Sequence, residues 1–405
     1  MTTYDVVVVG GRVAGASTAL LLARAGVRVA VVERTAPGRD TVSTHALMRA
    51  GVLQLTKWGI LDSVVAAGTP PVRHTTFSYP DGEQTQVSIR AGHGVEALFA
   101  PRRTLLDRLL LDAAADAGAD VISRATVLGL ERDAGRRIRG VTAQSTPGSS
   151  YRLEADLTVG ADGLRSVVAQ QVGAPVVRQG RSASAVLYRY VRGLGTTGYE
   201  WVYGRRAGAG LIPTNDGETC VFASTTPAVM RRLRRLGSEE TYLHLLEESR
   251  PGLAARIRGG TGWSRMRGWR GTPGHVRRPF GPGWALVGDA AYYKDPITAH
   301  GITDALRDAE LLADAAVVTL GGGPDAGSAL PAYQETRDRL SRQLWDVTEE
   351  VATYAWDADR ARTLLRAVSA SMSDEVDHLA GLPRAAPPEL AGSALARPDN
   401  QAVRR

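Results

Sequence analysis

The sequence predicts an α/β fold: a Rossmann-like domain interleaved with a β-sheet domain and followed by a C-terminal helical segment. Three observations predict it. Residues 4–33 read as strand, helix and strand, with a glycine-rich turn after the first strand. Residues 183–224 hold short β-like runs separated by glycines. Residues 284–319 return to a buried strand, a loop and a helix, and helical periodicity dominates 331–371. At 405 residues the chain is long enough for two sizeable cores.

In the opening unit the strand at 4–9 carries four consecutive valines, and the helix at 15–25 is rich in alanine and leucine. Gly26 turns the chain into a second strand at 27–33. Right-handed crossover makes these strands parallel neighbours. A Pro/Gly segment at 37–39 leads to helical periodicity over 45–58, and residues 72–90 alternate as strands around a turn at Pro80, Asp81 and Gly82. A strong helix pattern fills 103–117, with short strands at 120–130 and 137–144. The runs SAVLYRY, YEWVYGR, GLIPT and ETCVFAS make up 183–224, and WALVGDA at 284–290 ends a buried strand in a loop before a helix at 301–319. From Gly381 onward, Pro383, Pro387, Pro388 and Pro398 predict a loosely ordered tail.

Composition limits the function classes. The chain is 43% hydrophobic and 22% charged, which suits an ordinary globular protein. Cys220 is the only cysteine, so no internal disulfide framework or cysteine-based metal site is expected. No basic region precedes an apolar stretch at the N-terminus, and no apolar run reaches the roughly 18 residues of a membrane span. A cytoplasmic setting without integral membrane association is therefore expected. The net charge of +7 raises the question of nucleic acid. Lysine occurs only at Lys57 and Lys294, so 47 of the 49 basic residues are arginines, spread among 42 acids. No nucleic-acid module signature accompanies them, and the charge reads as a solvated, arginine-biased surface.

The opening strand–helix–strand unit carries the first chemistry. A helix N-terminus directly after a strand offers free N–H groups and a positive dipole end to a pyrophosphate. In "VVVVGGRVAG" Gly10 and Gly15 occupy the first and third fingerprint positions, but Arg12 stands where the middle glycine belongs. A negative-φ residue is tolerable there if its guanidinium points out of the turn, to face solvent, to screen the pyrophosphate or to line the path to the reacting ring. Glu33 ends the second strand, where an acid accepts from an adenosine ribose and repels a 2′-phosphate, so FAD or NAD is expected and not NADP.

Two further stretches decide between them. "ADLTVGADGLRSVVA" (155–169) ends a strand in Asp162-Gly163, and "WALVGDAAYYKDPITAHGITDALRDAELLA" (284–313) has Gly288-Asp289, Pro296 and Gly301. An aspartate after a buried strand can bond a ribitol hydroxyl. A glycine-opened helix at Gly301 can aim its dipole at a flavin's C2 carbonyl, favouring the anion formed on reduction.

In order and spacing these three segments resemble the FAD-dependent monooxygenases of the para-hydroxybenzoate hydroxylase fold, over roughly residues 4 to 345. The resemblance implies a Rossmann-like FAD-binding domain in three parts, 1–72, 99–180 and 276–330. It also implies an interleaved β-sheet substrate domain at 73–98 and 181–275, and C-terminal helices with a tail over 331–405. It places Gly10, Gly15 and Glu33 at the ADP half of FAD, with Arg12, Val13, Ala14, Arg34, Arg103 and Val127 also among the cofactor-binding residues. Arg49 is implied near the pyrophosphate, Asp162 and Gly163 in the motif serving both FAD and the nicotinamide cofactor, and Asp289 on the ribitol. Pro296 would sit beside the reactive edge, with Gly301 and the backbone of Ile302 and Thr303 at the pyrimidine end. The sequence departs from the family at Tyr292, where a histidine is usual, and at Ile297–His300, where many members are glycine-rich. His300 would then lie near the flavin, as a loop-ordering residue or a catalytic one, and His45 stands as a helix-start or pyrophosphate neighbour.

The implied reaction is reduction of FAD by NADH or NADPH, addition of O2, and transfer of one oxygen from a flavin hydroperoxide to an apolar or aromatic small molecule in secondary metabolism. Tyr188, Tyr190, Trp201, Tyr203, Ile212 and Pro213 are the pocket candidates, although alternation alone does not say which face is inward. Flavin halogenases and geranylgeranyl reductase-type double-bond reductases share these motifs. The halogenase stretch Trp-x-Trp-x-Ile-Pro survives here only as Ile212-Pro213. A homo-oligomer or a separate flavin reductase is compatible with the sequence.

Overall fold

The computed structural model describes residues 2–382 apart from Pro147, so the proline-rich tail from 383 lies outside the described residues. Strand Thr2–Val9 is the spine of the first sheet. Its run Val6–Val9 is buried on both faces, as four consecutive valines between helical layers demand. It pairs in parallel with Val29–Glu33 on one side and with Ser149–Gly160 on the other. Asp120–Ser123 extends the sheet beyond Val29–Glu33, and Trp284–Leu286 beyond Ser149–Gly160.

Helix Val13–Arg24 covers this sheet beside Arg103–Asp116 and Gly301–Gly321. It starts two residues earlier than its periodicity suggests, because Arg12 is extended (φ −89°, ψ −169°) and hands the chain directly into the helix. Gly10 has φ +104°, and a Cβ on Gly15 would overlap the Gly10 carbonyl oxygen and stand 3.0 Å from the Ala161 Cβ. Only glycine permits that contact between helix and strand ends. The next helix begins at Arg49 and not at 45. His45 takes a left-handed φ of 69° and Leu47 bridges to Phe99, so the apolar periodicity of 45–48 is met by packing outside a helix.

The second sheet has seven strands. In spatial order they are Arg267–Trp269, Ala185–Arg192, Glu218–Thr225, Gly208–Pro213, Tyr199–Tyr203, His74–Ser78 and Gln84–Ser88. Strand His74–Ser78 joins in parallel to Tyr199–Tyr203, which brings the early hairpin into the later sheet. One face packs Val191, Leu211 and Val221 against helix Ser238–Ser249 through Tyr242 and Leu246. The opposite face turns Tyr188, Trp201 and Phe222 toward the first sheet's loops. A third sheet of Val176–Gln179, His275–Arg277 and Tyr292–Tyr293 ties the two parts together.

The C-terminal periodicity resolves into helices Ala326–Val351 and Ala358–Ala380. They break where Tyr354 adopts φ 55° and the Asp357 carboxylate accepts from the Arg360 N–H at 2.8 Å. Among the described residues no helix is long and apolar enough to cross a membrane.

Candidate active site

A cavity of about 680 Å³ runs from the glycine turn, between the two large sheets, to the start of helix Gly301–Gly321. Its nucleotide end is walled by Gly10, Arg12, Val13, Ala14, Glu33, Arg34, Val127, Asp162 and Gly163. Gly15 lies behind that wall, holding the helix against Gly10. The buried Glu33 carboxylate accepts from the N–H groups of Gly11 and Thr35, both at 2.8 Å, and from the Thr35 hydroxyl at 2.7 Å. It therefore fixes the turn as well as edging the cavity. Asp162 plays a parallel part: its Oδ2 accepts from Val167 N–H at 2.6 Å, while Oδ1 is buried without a partner among the described residues.

The arginines divide. Arg12 lines the cavity and donates to the Thr41 hydroxyl at 2.6 Å, so its side chain bridges the turn to the following loop and does not leave it for solvent. Burial and the neighbouring Arg103 push its pKa down. Arg103 lines the cavity while paired with Asp107 at 2.9 Å. Arg49 is turned away: its guanidinium donates to the carbonyls of Arg90 (2.7 Å) and Gly92 (3.3 Å), which lie past the 74–88 hairpin. Those long-range carbonyls claim the side chain, and Arg49 is not part of the cavity wall.

At the other end Asp289, Pro296, Gly301 and Ile302 face the cavity. Asp289 is exposed to the cavity, and among the described residues its carboxylate makes no hydrogen bond. Burial pushes its pKa up to about 6, against the pull of Arg103 and Lys294. Thr303 does not reach the cavity; its hydroxyl accepts from the Met48 N–H at 3.2 Å and locks two helices together. His300 is also withdrawn. Its Nε2 meets Glu375 Oε2 at 2.6 Å on the last helix, and burial lowers its pKa although Glu375 opposes the shift.

His45 does stand in the cavity wall. Its Nε2 is hydrogen-bonded to the Tyr190 hydroxyl, and the rings stack at 5.6 Å. Burial, with Arg102, Arg103 and Arg267 nearby, holds the imidazole neutral. Of the pocket candidates, Tyr188 and Trp201 line the cavity. Tyr190 stands behind His45 with the Arg102 guanidinium 3.7 Å above its ring. Tyr203 packs on Trp356 at 5.6 Å, and Ile212 and Pro213 are buried off the cavity.

Sequence reasoning missed Ser184, Val186, Phe222, Ser224, Trp269, Tyr292, Tyr293 and Lys294, all in the wall. For three of them the signal was available: Val186 pairs with Ser224, and Phe222 with the predicted Tyr188, so one period-2 face carries them all. Lys294 is buried, and burial pushes its pKa down to about 7. One grouping, His300, Asp304 and Glu375, has ligand atoms close enough for a metal ion. Lys294 and Arg307 already neutralise those carboxylates, so the donor set suits an ion-pair cluster better than a cation.

These features fit a flavin dinucleotide. The glycine turn leaves no room for a Cβ, and an unpartnered carboxylate faces the cavity at Asp289. The helix opened by Gly301 presents its N-terminus to the same space.

A family model described as an FAD binding domain matches residues 3–348. The chain is similar to the digeranylgeranylglycerophospholipid reductase of Thermoplasma volcanium, 25% identical over 378 residues, covering 87% of this chain and 88% of that protein. Among solved structures it is similar to the myxobacterial chondrochloren halogenase CndH (TM-score 0.77, 20% identity, 94% of this chain and 96% of that one). It is also similar to PqsL of Pseudomonas aeruginosa, described as a probable FAD-dependent monooxygenase (TM-score 0.75, 22% identity, 90% of this chain and 100% of that one).

Proposed function

The chain belongs to the FAD binding domain family and is an FAD-dependent oxidoreductase, and within that class we propose that it is a monooxygenase. In this reading it takes reducing equivalents from NADH or NADPH and uses O2 to hydroxylate or epoxidise an apolar or aromatic small molecule. The observation that carries it is the shared cavity: Tyr188, Trp201, Phe222 and Trp269 wall the same space that Asp289, Pro296 and Gly301 open into. Bound FAD would supply the redox chemistry. Gly10, Glu33, Arg103 and Asp289 would hold it, and the aromatic wall would exclude water and stack a flat substrate.

His45 gives that wall a polar point. Burial raises the pKa of the Tyr190 phenol, so its O–H donates to His45 Nε2. The imidazole hydrogen then sits on Nδ1, which has no partner among the described residues.

A second reading is a flavin-dependent double-bond reductase, favoured by the reductase relatives. Halogenation is disfavoured, because GAGLIPT lacks the two tryptophans and Ile212-Pro213 lies off the cavity. Stopped-flow reduction of bound FAD by NADH and by NADPH, with a panel of aromatic compounds, tests the proposal. At least one compound is expected to accelerate reduction and to stimulate O2 consumption. Turnover that persists without oxygen would transfer the assignment to the reductase class.

A further inference from the structure

Behind the cavity wall, six ionisable side chains are packed with almost no exposure: Lys294, His300, Asp304, Arg307, Asp308 and Glu375. They form one connected cluster. Lys294 Nζ donates to Asp304 Oδ2. Arg307 donates to Asp304 Oδ1 at 3.0 Å, to Glu375 Oε1 at 2.9 Å and to Asp308 Oδ1 at 2.7 Å. His300 joins at Glu375 Oε2. Lys294 and Asp304 reach the cavity, in the same wall as Asp289, Pro296 and Gly301. Glu375 comes from helix Ala358–Ala380, beyond the residues that the family model covers.

As a device for stability this cluster is poor. Desolvating paired charges costs about as much as their attraction returns, and packed apolar side chains would serve as well. Its charge is also uneven. With His300 neutral, three carboxylates (Asp304, Asp308, Glu375) face two cations (Lys294, Arg307), and Asp289 adds a further acid at the cavity. Lys294 is therefore the cluster's cation at the wall, set in an acidic surrounding.

We propose that Lys294 is a positioning residue that places positive charge at the flavin end of the cavity. There it favours the reduced, anionic cofactor, and Asp304 and Glu375, linked through Arg307, set how much of that charge the cavity feels. The inference rests on the reading that FAD lies in the cavity with its ring toward Asp289 and Gly301. It follows from Coulomb interaction across a water-poor wall, where a single charge acts at several ångströms.

The test is the midpoint potential of FAD bound to the chain, measured near pH 6, where Lys294 is protonated, by equilibration with reference dyes. Lys294→Met is expected to lower the potential, while Glu375→Gln and Asp304→Asn raise it and Lys294→Arg keeps it near the parent value. A tenfold change in the ratio of affinities for reduced and oxidised FAD is the expected size, about 30 mV for a two-electron couple. Opposite signs separate charge tuning from damage, since a loosened site would shift all variants one way. If Lys294→Met fails to fold, the two acid-to-amide variants must still raise the potential. Unmoved potentials, a fall in either acid-to-amide variant, or a rise in Lys294→Met overturn the proposal while leaving FAD binding intact. A parent chain that retains no FAD overturns the underlying reading as well.

Discussion

The Gly15→Ala protein is expected to purify without FAD. A Cβ at that position would overlap the Gly10 carbonyl oxygen and crowd Ala161, so helix Val13–Arg24 must move away from the strand ends that it caps. Overpacking of this kind costs about 1–3 kcal/mol of stability. The larger effect falls on the cofactor, because the shift carries the helix N–H groups away from the pyrophosphate. FAD affinity is expected to fall by at least about tenfold, the change that ~1.4 kcal/mol conveys. Equilibrium dialysis with FAD measures it. Arg12→Ala is the contrast: its backbone is extended and unstrained, so that variant retains FAD with at most a modest loss from the missing Thr41 bridge. Equal retention of FAD by Gly15→Ala and the parent would remove the glycine turn from the site.

Asp289→Asn should separate binding from stability. The carboxylate faces the cavity with no hydrogen-bond partner among the described residues, and burial pushes its pKa up to about 6 from 3.8. A raised pKa means that the folded state holds the proton more tightly than the unfolded one. The group's stabilising contribution is thus present below pH 3.8 and is lost as pH rises through about 6. Above that, the FAD-free protein carries an unpaired charge on the cavity wall, whose cost solvent in the cavity partly screens. Asparagine removes it, so FAD-free Asp289→Asn is expected to melt higher than the parent at pH 7 and at the same temperature near pH 4. Its FAD affinity should drop by roughly 10- to 100-fold, because a hydrogen bond from a ribityl hydroxyl to a charged acceptor contributes about 1.5–3 kcal/mol. Calorimetry with and without FAD reads both effects. Loss of stability together with loss of affinity would mean that Asp289 holds the fold and not the ligand.

What the sequence made legible was whatever the backbone dictates locally. The four valines of the central strand, the glycines at 10 and 15, the acid at the end of Val29–Glu33 and the strand–loop–helix around Asp289 all follow from near neighbours in the chain. Side-chain direction did not follow, because distant partners set it. His300 is drawn from the cavity by Glu375, 75 residues away, and Arg49 by carbonyls 41 and 43 residues away. Tyr203, the last residue of its strand, is claimed by Trp356. The third sheet escaped reading because its strands are two to four residues long and too short to show a period. Lys294 escaped because a lone lysine looks solvent-facing until the acids around it are placed. Pairing register would have recovered Phe222 and Val186, since both share a sheet face with Tyr188.

The central claim is that this flavoprotein passes oxygen to a small molecule seated against Tyr188, Trp201 and Phe222. The most direct test incubates the FAD-loaded chain with NADH or NADPH under ¹⁸O2, using whichever aromatic compound accelerates flavin reduction, and weighs the product. The account predicts a product heavier by one ¹⁸O atom. A product that gains two hydrogens and no label would contradict it and identify the chain as a double-bond reductase.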